Sequence, residues 1–185
     1  MTEIQSTTSA TEADTATTEE LWAAQARNAL IETAGSYNSV ITYKELSELV
    51  QERSGVTTSQ LMHHWIGGVL GHVTQECAER DEPNLSSLCV DSTGSVGAGY
   101  VTAVGKVHGK LEGNADDHAA AERLRCYGHF GATLPAGGGF PELTPQVQRK
   151  RDRESAVRMA AIREPGICPT CNTAVPASGV CDYCD

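Results

Sequence analysis

The feature that most constrains this chain is its C-terminal run CPTCNTAVPASGVCDYCD, in which Cys168 and Cys171, and again Cys181 and Cys184, are separated by two residues, with nine residues between the pairs. A unit of about twenty residues buries too little apolar surface to fold without a staple. The cysteines can supply one. Each short loop turns two thiolates toward one ion, and the spacer lets the second loop return to complete a tetrahedron. The expected ion is zinc in a closed structural site, because four protein ligands leave no position for water or substrate. An iron site with four thiolates and a set of free thiols are the competing readings. Disulfides are disfavoured: the sequence shows neither the basic and apolar regions of a signal peptide nor an apolar run long enough for a membrane span, so a cytoplasmic, reducing compartment is expected.

The formal net charge of -10, from 24 acidic and 14 basic residues, opposes nonspecific attraction to phosphate backbones. The charge is uneven. Residues 1–18 hold acids but no Lys or Arg and hardly a large apolar side chain, so this tail is expected to stay disordered. Thr17 and Glu20 then have capping-box spacing, Trp22, Ala26 and Leu30 recur at helical intervals, and Gly35 closes a first helix over 18–34. Thr42 and Glu45 form a second capping box, with Leu46, Leu49 and Val50 as the buried stripe and Gly55 as the stop. A third helix is expected over 59–78, its Gly67, Gly68 and Gly71 implying that another backbone packs close.

Short β-prone runs around DSTGS then predict a hairpin, and three helices followed by a hairpin suggest a winged helix. Beyond it, Asn114 caps a helix to about Tyr127, a Gly/Pro-rich loop runs to Glu142, and Thr144 with Pro145 opens a charged helix ending before Pro165. The expected fold class is α+β, mainly helical: a disordered acidic tail (1–18), a winged-helix-like domain (19–105), a helix and loop (106–142), a basic helix (143–164) and a small zinc ribbon (165–185).

The motifs TYKEL, WIGGVL and DSTGSVGAGY follow one another between Val40 and Tyr100. In order and spacing this stretch, about a third of the chain, resembles the C-terminal DNA-binding domain of the alkylguanine-DNA alkyltransferases and their non-catalytic alkyltransferase-like relatives. The resemblance places the family's Pro-Cys-His-Arg nucleophile segment near NLSSLCVD, where no such tetrapeptide occurs and Cys89 is followed by Val90 and Asp91. Nothing beside Cys89 would lower its pKa, so it reads as a small buried strand residue and the protein as no enzyme. The resemblance also implies that Tyr43 presses on the phosphate of a nucleotide whose base is flipped, and that His64 stands where the family has the arginine that fills the vacated stack. The helix 59–78 would then read DNA, although it contains no Lys or Arg. The last twenty residues resemble a zinc ribbon.

Other clusters have plainer readings. His63, His64, His72 and Cys77 do not share one helical face and are taken as partly exposed polar residues. Asp116, Asp117, His118 and Glu122 open a helix, where acids complement the dipole. Leu124, Tyr127 and Phe130 are expected to pack on the domain before them. Arg149, Lys150, Arg151, Arg153, Arg158 and Arg163 are the basic concentration of the chain, either a solvated helix or a phosphate-tracking stem for the ribbon. The function expected is that of a non-enzymatic zinc-ribbon winged-helix protein binding DNA through Tyr43, His64, Arg149, Lys150, Arg151 and Arg153, in regulation, repair signalling or defence. The alternative is an adaptor that docks on a protein assembly without touching DNA.

Overall fold

The structure, a computed structural model, describes residues 7–162, 166–175 and 179–184. It is a mainly helical α+β chain: α1 (Thr7–Ala34), β1 (Ile41–Thr42), α2 (Tyr43–Ser54), α3 (Ile66–Glu79), β2 (Cys89–Val90), α4 (Ala98–His108), α5 (Ala115–His129) and α6 (Pro145–Ile162). Single 3-10 turns at Met62–His64 and Leu85–Leu88 precede α3 and β2. By contacts the chain divides into two units, one reaching Val147 and one starting at Gln148. No helix among the described residues is long and apolar enough to cross a membrane.

In the first unit, α1 packs on both α2 and α3, and α3 packs on α4. The core takes Trp22, Ala26 and Leu30 from α1, Leu46 and Val50 from α2, Val69 and Val73 from α3, and Leu85, Leu88 and Cys89 from the turn and strand that follow. Burying such aliphatic side chains contributes roughly 1.5–3 kcal/mol each, which these short helices cannot supply from propensity alone. Trp22 packs on Trp65 with ring centroids 4.4 Å apart, and its indole N–H donates to the Val56 carbonyl at 3.0 Å. α2 starts on the capping box expected of it, the Thr42 hydroxyl accepting from Glu45 N while the Glu45 carboxylate accepts from Thr42 N, and ends on Gly55 in the left-handed region at φ 70°. Asn114 caps α5 through Asp116 N and Asp117 N, also as expected.

Three expectations are corrected. The acidic segment over 1–18 is helical from Thr7, so the first helix begins well before residue 18; Met1 to Ser6 lie outside the described residues. Ala10, Ala13 and Ala16 have the best helix propensity, and extending a helix avoids a second nucleation cost. The third helix starts at Ile66 rather than near residue 59, with a 3-10 turn before it.

The predicted hairpin does not form. β2 pairs with β1 in parallel, Ile41 against Cys89 and Thr42 against Val90. DSTGS is instead a turn closed on the Asp91 carboxylate, which accepts from Thr93 N at 2.7 Å and Ser95 N at 3.1 Å. The residues after it enter α4, whose Tyr100, Ala103 and Val104 are buried at helical spacing. Burial on one helical face thus overrides the β propensity of the valines and threonine.

Candidate functional site

The C-terminal cysteine segment turns on a left-handed residue. Asn172, at φ 58°, reverses the chain so that Cys168 N donates to Thr173 O at 2.8 Å and Asn172 N donates to Cys168 O at 2.9 Å. Asparagine tolerates that conformation better than most side chains. An antiparallel bridge between Ile167 and Ala174 closes the knuckle. The second pair, Cys181 and Cys184, brings its sulfurs to the first: the four Sγ atoms lie within 4.8 Å of one another, with Cys171 to Cys181 at 3.5 Å and Cys168 to Cys184 at 3.8 Å. Sulfurs about 2.3 Å from a shared tetrahedral ion sit roughly 3.8 Å apart, so the set fits a metal.

Protonation inside the cluster is uneven. The Thr173 hydroxyl, 2.7 Å from Cys171 Sγ, holds the Cys171 thiol down at about 6, while bonding to the Cys171 sulfur pushes Cys184 up to about 11. Backbone N–H groups of Cys171 and Thr170 lower Cys168. Thiolates this close need a cation to coexist, and a bound metal would displace the remaining protons.

A second feature lies in the first unit. Tyr43, Met62, His63, Ile66, Leu70, Ser86, Tyr100 and Ala103, with Gly67, Gly97 and Gly99, line a cavity of about 230 Å³. The parallel pairing of β1 and β2 brings two lining residues near each other, because Tyr43 opens α2 directly after β1 and Ser86 lies in the turn leading into β2. Ser86 is buried; its hydroxyl donates to Asn84 Oδ1 at 2.7 Å, and Thr74 Oγ1 lies 2.9 Å from it. Buried Arg123 steadies the same turn from α5 by donating to the Ser87 carbonyl at 3.1 Å.

Two helices begin at this cavity. α3 and α4 both lack a side-chain cap, and the residues of their first turns, Ile66 and Gly67 in one and Gly99 in the other, are part of the lining. The helices come so close that a Cβ on Gly99 would meet the Gly67 Cα at 4.0 Å. The first turns of both helices, where free backbone N–H groups and the positive ends of the dipoles are found, thus border one opening.

No family model, no curated protein and no solved structure matches the chain.

The residues singled out from the sequence separate into distinct places. Tyr43 lines the cavity, but its hydroxyl accepts from Gly97 N at 2.9 Å, and burial pushes its pKa up to about 12, so it enters the site neutral and already tethered. His64 is exposed outside the lining and lies against His63, with ring centroids 4.1 Å apart and the planes tilted by 46°; His63 is the histidine that reaches the cavity. Cys89 is fully buried in the core, where desolvation drives its thiol pKa far up. Arg149, Lys150, Arg153 and Arg158 are exposed on α6, and Arg151 is half-buried; Arg163 lies outside the described residues. Asp116 and Glu122 do more than complement a dipole, since they accept from Val96 N at 2.9 Å and Asn84 N at 3.0 Å and so tie α5 to the turns around the cavity.

The glycines of α3 meet the expectation in part. Gly67 does lie close to another backbone, that of α4 at Gly99, whereas Gly71 faces open space and it is a side chain, Glu19, that lies against Gly68. Sequence reasoning missed Met62, Ser86, Tyr100 and Ala103 as lining residues. Ser86 carried the available signal, since it falls in NLSSLCVD, the segment where the resemblance pointed for chemistry.

Proposed function

We propose that this protein is a non-enzymatic DNA-binding protein, an alkyltransferase-like, winged-helix-like body carrying a zinc ribbon, with a role in regulation, repair signalling or defence. The observation that carries the proposal is the cavity. Its walls are apolar, it is smaller than a pocket for a drug-sized ligand or large cofactor, and it suits one planar ring system. A base extruded from a duplex is such a group, taken up by stacking and apolar contact. The uncapped starts of α3 and α4 offer N–H donors to the flanking phosphates, in place of the Lys and Arg that α3 lacks. No hairpin follows α3 among the described elements; the Asp91 turn and α4 come after β2 instead.

The four thiolates favour zinc as the ribbon's ion, held for structure alone. The exposed cations of α6 add sequence-independent phosphate contacts. The non-enzymatic reading is supported by the Ser86 hydroxyl donating to an amide oxygen and not to a base, and by the burial of Cys89.

A second reading, a protein-interaction adaptor, is favoured by one observation: Ile167, Val180 and Tyr183 of the ribbon and Val157 and Met159 of α6 are large apolar side chains left exposed. Fluorescence anisotropy at low salt against plain duplex, duplex carrying one alkylated guanine and single-stranded DNA separates the two. The DNA reading expects tighter binding to the alkylated duplex, and Ala103→Phe, which fills the cavity, should erase that preference while sparing plain-duplex affinity. Equal affinity for both duplexes, or a preference that survives Ala103→Phe, would remove the cavity from the account.

A further inference from the structure

The glycines of α3 line an open groove that α3 forms with α4, whose Gly99 comes close to Gly67 and whose Thr102 and Lys106 share the lining. Gly67 and Gly68 are exposed, Gly71 is half-buried, and nothing lies within 4 Å of where a Cβ of Gly67 or Gly71 would stand. Each helical glycine costs about 1 kcal/mol against alanine, so such a face is expensive unless something must approach the backbone closely. One part of it is covered. A Cβ on Gly68 would meet the Glu19 carboxylate, Oε2 at 2.9 Å and Cδ at 3.2 Å, so the carboxylate lies directly on the Gly68 backbone. Glu19 Oε2 is also 3.8 Å from His72 Nε2, one turn further along α3.

Glu19 belongs to α1, not to the helix it covers. Glu20 of α1 and Glu76 and Glu79 of α3 line the groove between those two helices together with His72 and Gln75, while Lys106 of α4 lines the groove that Gly68 borders. Arg27 of α1 bonds Glu76 and Glu82, so α1 is anchored against α3 deeper in the unit, while Glu19 reaches Gly68 nearer the start of α3.

We infer that Glu19 is an autoinhibitory carboxylate: it occupies, with the charge of a phosphate, the place on α3 where a phosphodiester backbone would make its closest approach. This inference rests on the DNA reading proposed above and names how that site is held in check. A duplex reaching α3 must turn the Glu19 side chain off Gly68 or sit beside an uncompensated negative charge. Either lowers affinity, and the repulsion weakens as salt screens it.

The test uses the full chain with Glu19→Gln, which keeps the shape and removes the charge, Glu19→Ala, which removes both, and Glu112→Gln, a change of equal charge at an exposed residue outside α1 and α3. Anisotropy with plain duplex at low ionic strength is expected to show a gain of about fivefold for Glu19→Gln, at least as much for Glu19→Ala and less than twofold for Glu112→Gln, the differences fading at high salt. If the parent binds DNA and Glu19→Gln stays within twofold of Glu112→Gln, the carboxylate is not a mask and the inference is overturned with the DNA reading intact. If neither parent nor variants bind any DNA, the DNA reading falls and takes the inference with it.

Discussion

Replacing Tyr43 by Phe removes one atom, and the structure states what that atom does. The Tyr43 hydroxyl accepts from Gly97 N at 2.9 Å, which joins the start of α2 to the uncapped start of α4 across the cavity. Removing an acceptor from a half-buried amide costs about 1 kcal/mol, because partial access to water recovers some of the lost bond. With a urea m-value of about 2 kcal/mol per M for a chain of this size, the midpoint should fall by roughly 0.5 M with m unchanged. Gly97→Ala probes the same contact from the other side, since its Cβ would lie 2.9 Å from the hydroxyl oxygen but 3.5 Å from the ring carbon bearing it. Alone it should destabilise by a similar amount; in the Tyr43→Phe background, where the nearest atom is gone, the added cost should nearly vanish, a coupling of about 1 kcal/mol in the double-mutant cycle. Urea denaturation followed by circular dichroism measures all four proteins. Additive effects, or a Tyr43→Phe midpoint equal to the parent's, would show that the hydroxyl does not hold α4 in place.

Three further outcomes are expected. Elemental analysis should find about one zinc per chain, and Cys171→Ser or Cys184→Ser should release it and unfold the ribbon while the melting of the helical core is unchanged, because that core is formed by the first unit's own residues. Burial would raise the Asp91 pKa, but bonds from the Thr93 hydroxyl and from backbone N–H groups of Thr93, Ser95 and Gly94 outweigh it and hold the carboxyl below its ordinary value; its stabilisation is therefore complete above about pH 4, lost as pH falls through the folded-state pKa, and missing from that window in Asp91→Asn, as acid titration of stability will show. Incubation with alkylguanine DNA should leave no adduct on Cys77, Cys89 or Cys126 by intact-protein mass spectrometry, since all three are buried and burial raises their pKa values; a mass gain on any of them refutes the non-enzymatic reading.

What the sequence disclosed follows from how local each signal is. The Thr42 and Glu45 capping box, the Gly55 stop, the Asn114 cap and the cysteine pairs are spelled within a few residues, and the structure has each of them. The segment GSVGAGYVTAV misled because its valines and threonine favour strands locally, whereas its conformation is settled by what Tyr100 and Val104 bury against, including Ala119 of α5. The cavity was illegible for the same reason. Its lining comes from α2, two 3-10 turns, α3 and α4, and no spacing along the chain reports that His63 and not His64 would reach it. The Glu19 contact with Gly68 joins residues that no sequence motif connects.

One salt titration of the parent protein against duplex DNA decides whether this acidic chain binds DNA through discrete phosphate contacts. Each phosphate neutralised contributes about 0.9 to the slope of log affinity against log salt, and the exposed Arg149, Lys150, Arg153 and Arg158 predict a slope of about -3 or steeper, flattened when Arg149, Lys150, Arg151 and Arg153 are replaced by Gln. A protein that shows no salt-sensitive affinity for duplex even at low ionic strength contradicts the DNA reading, and the exposed apolar side chains of the ribbon then mark it as an adaptor.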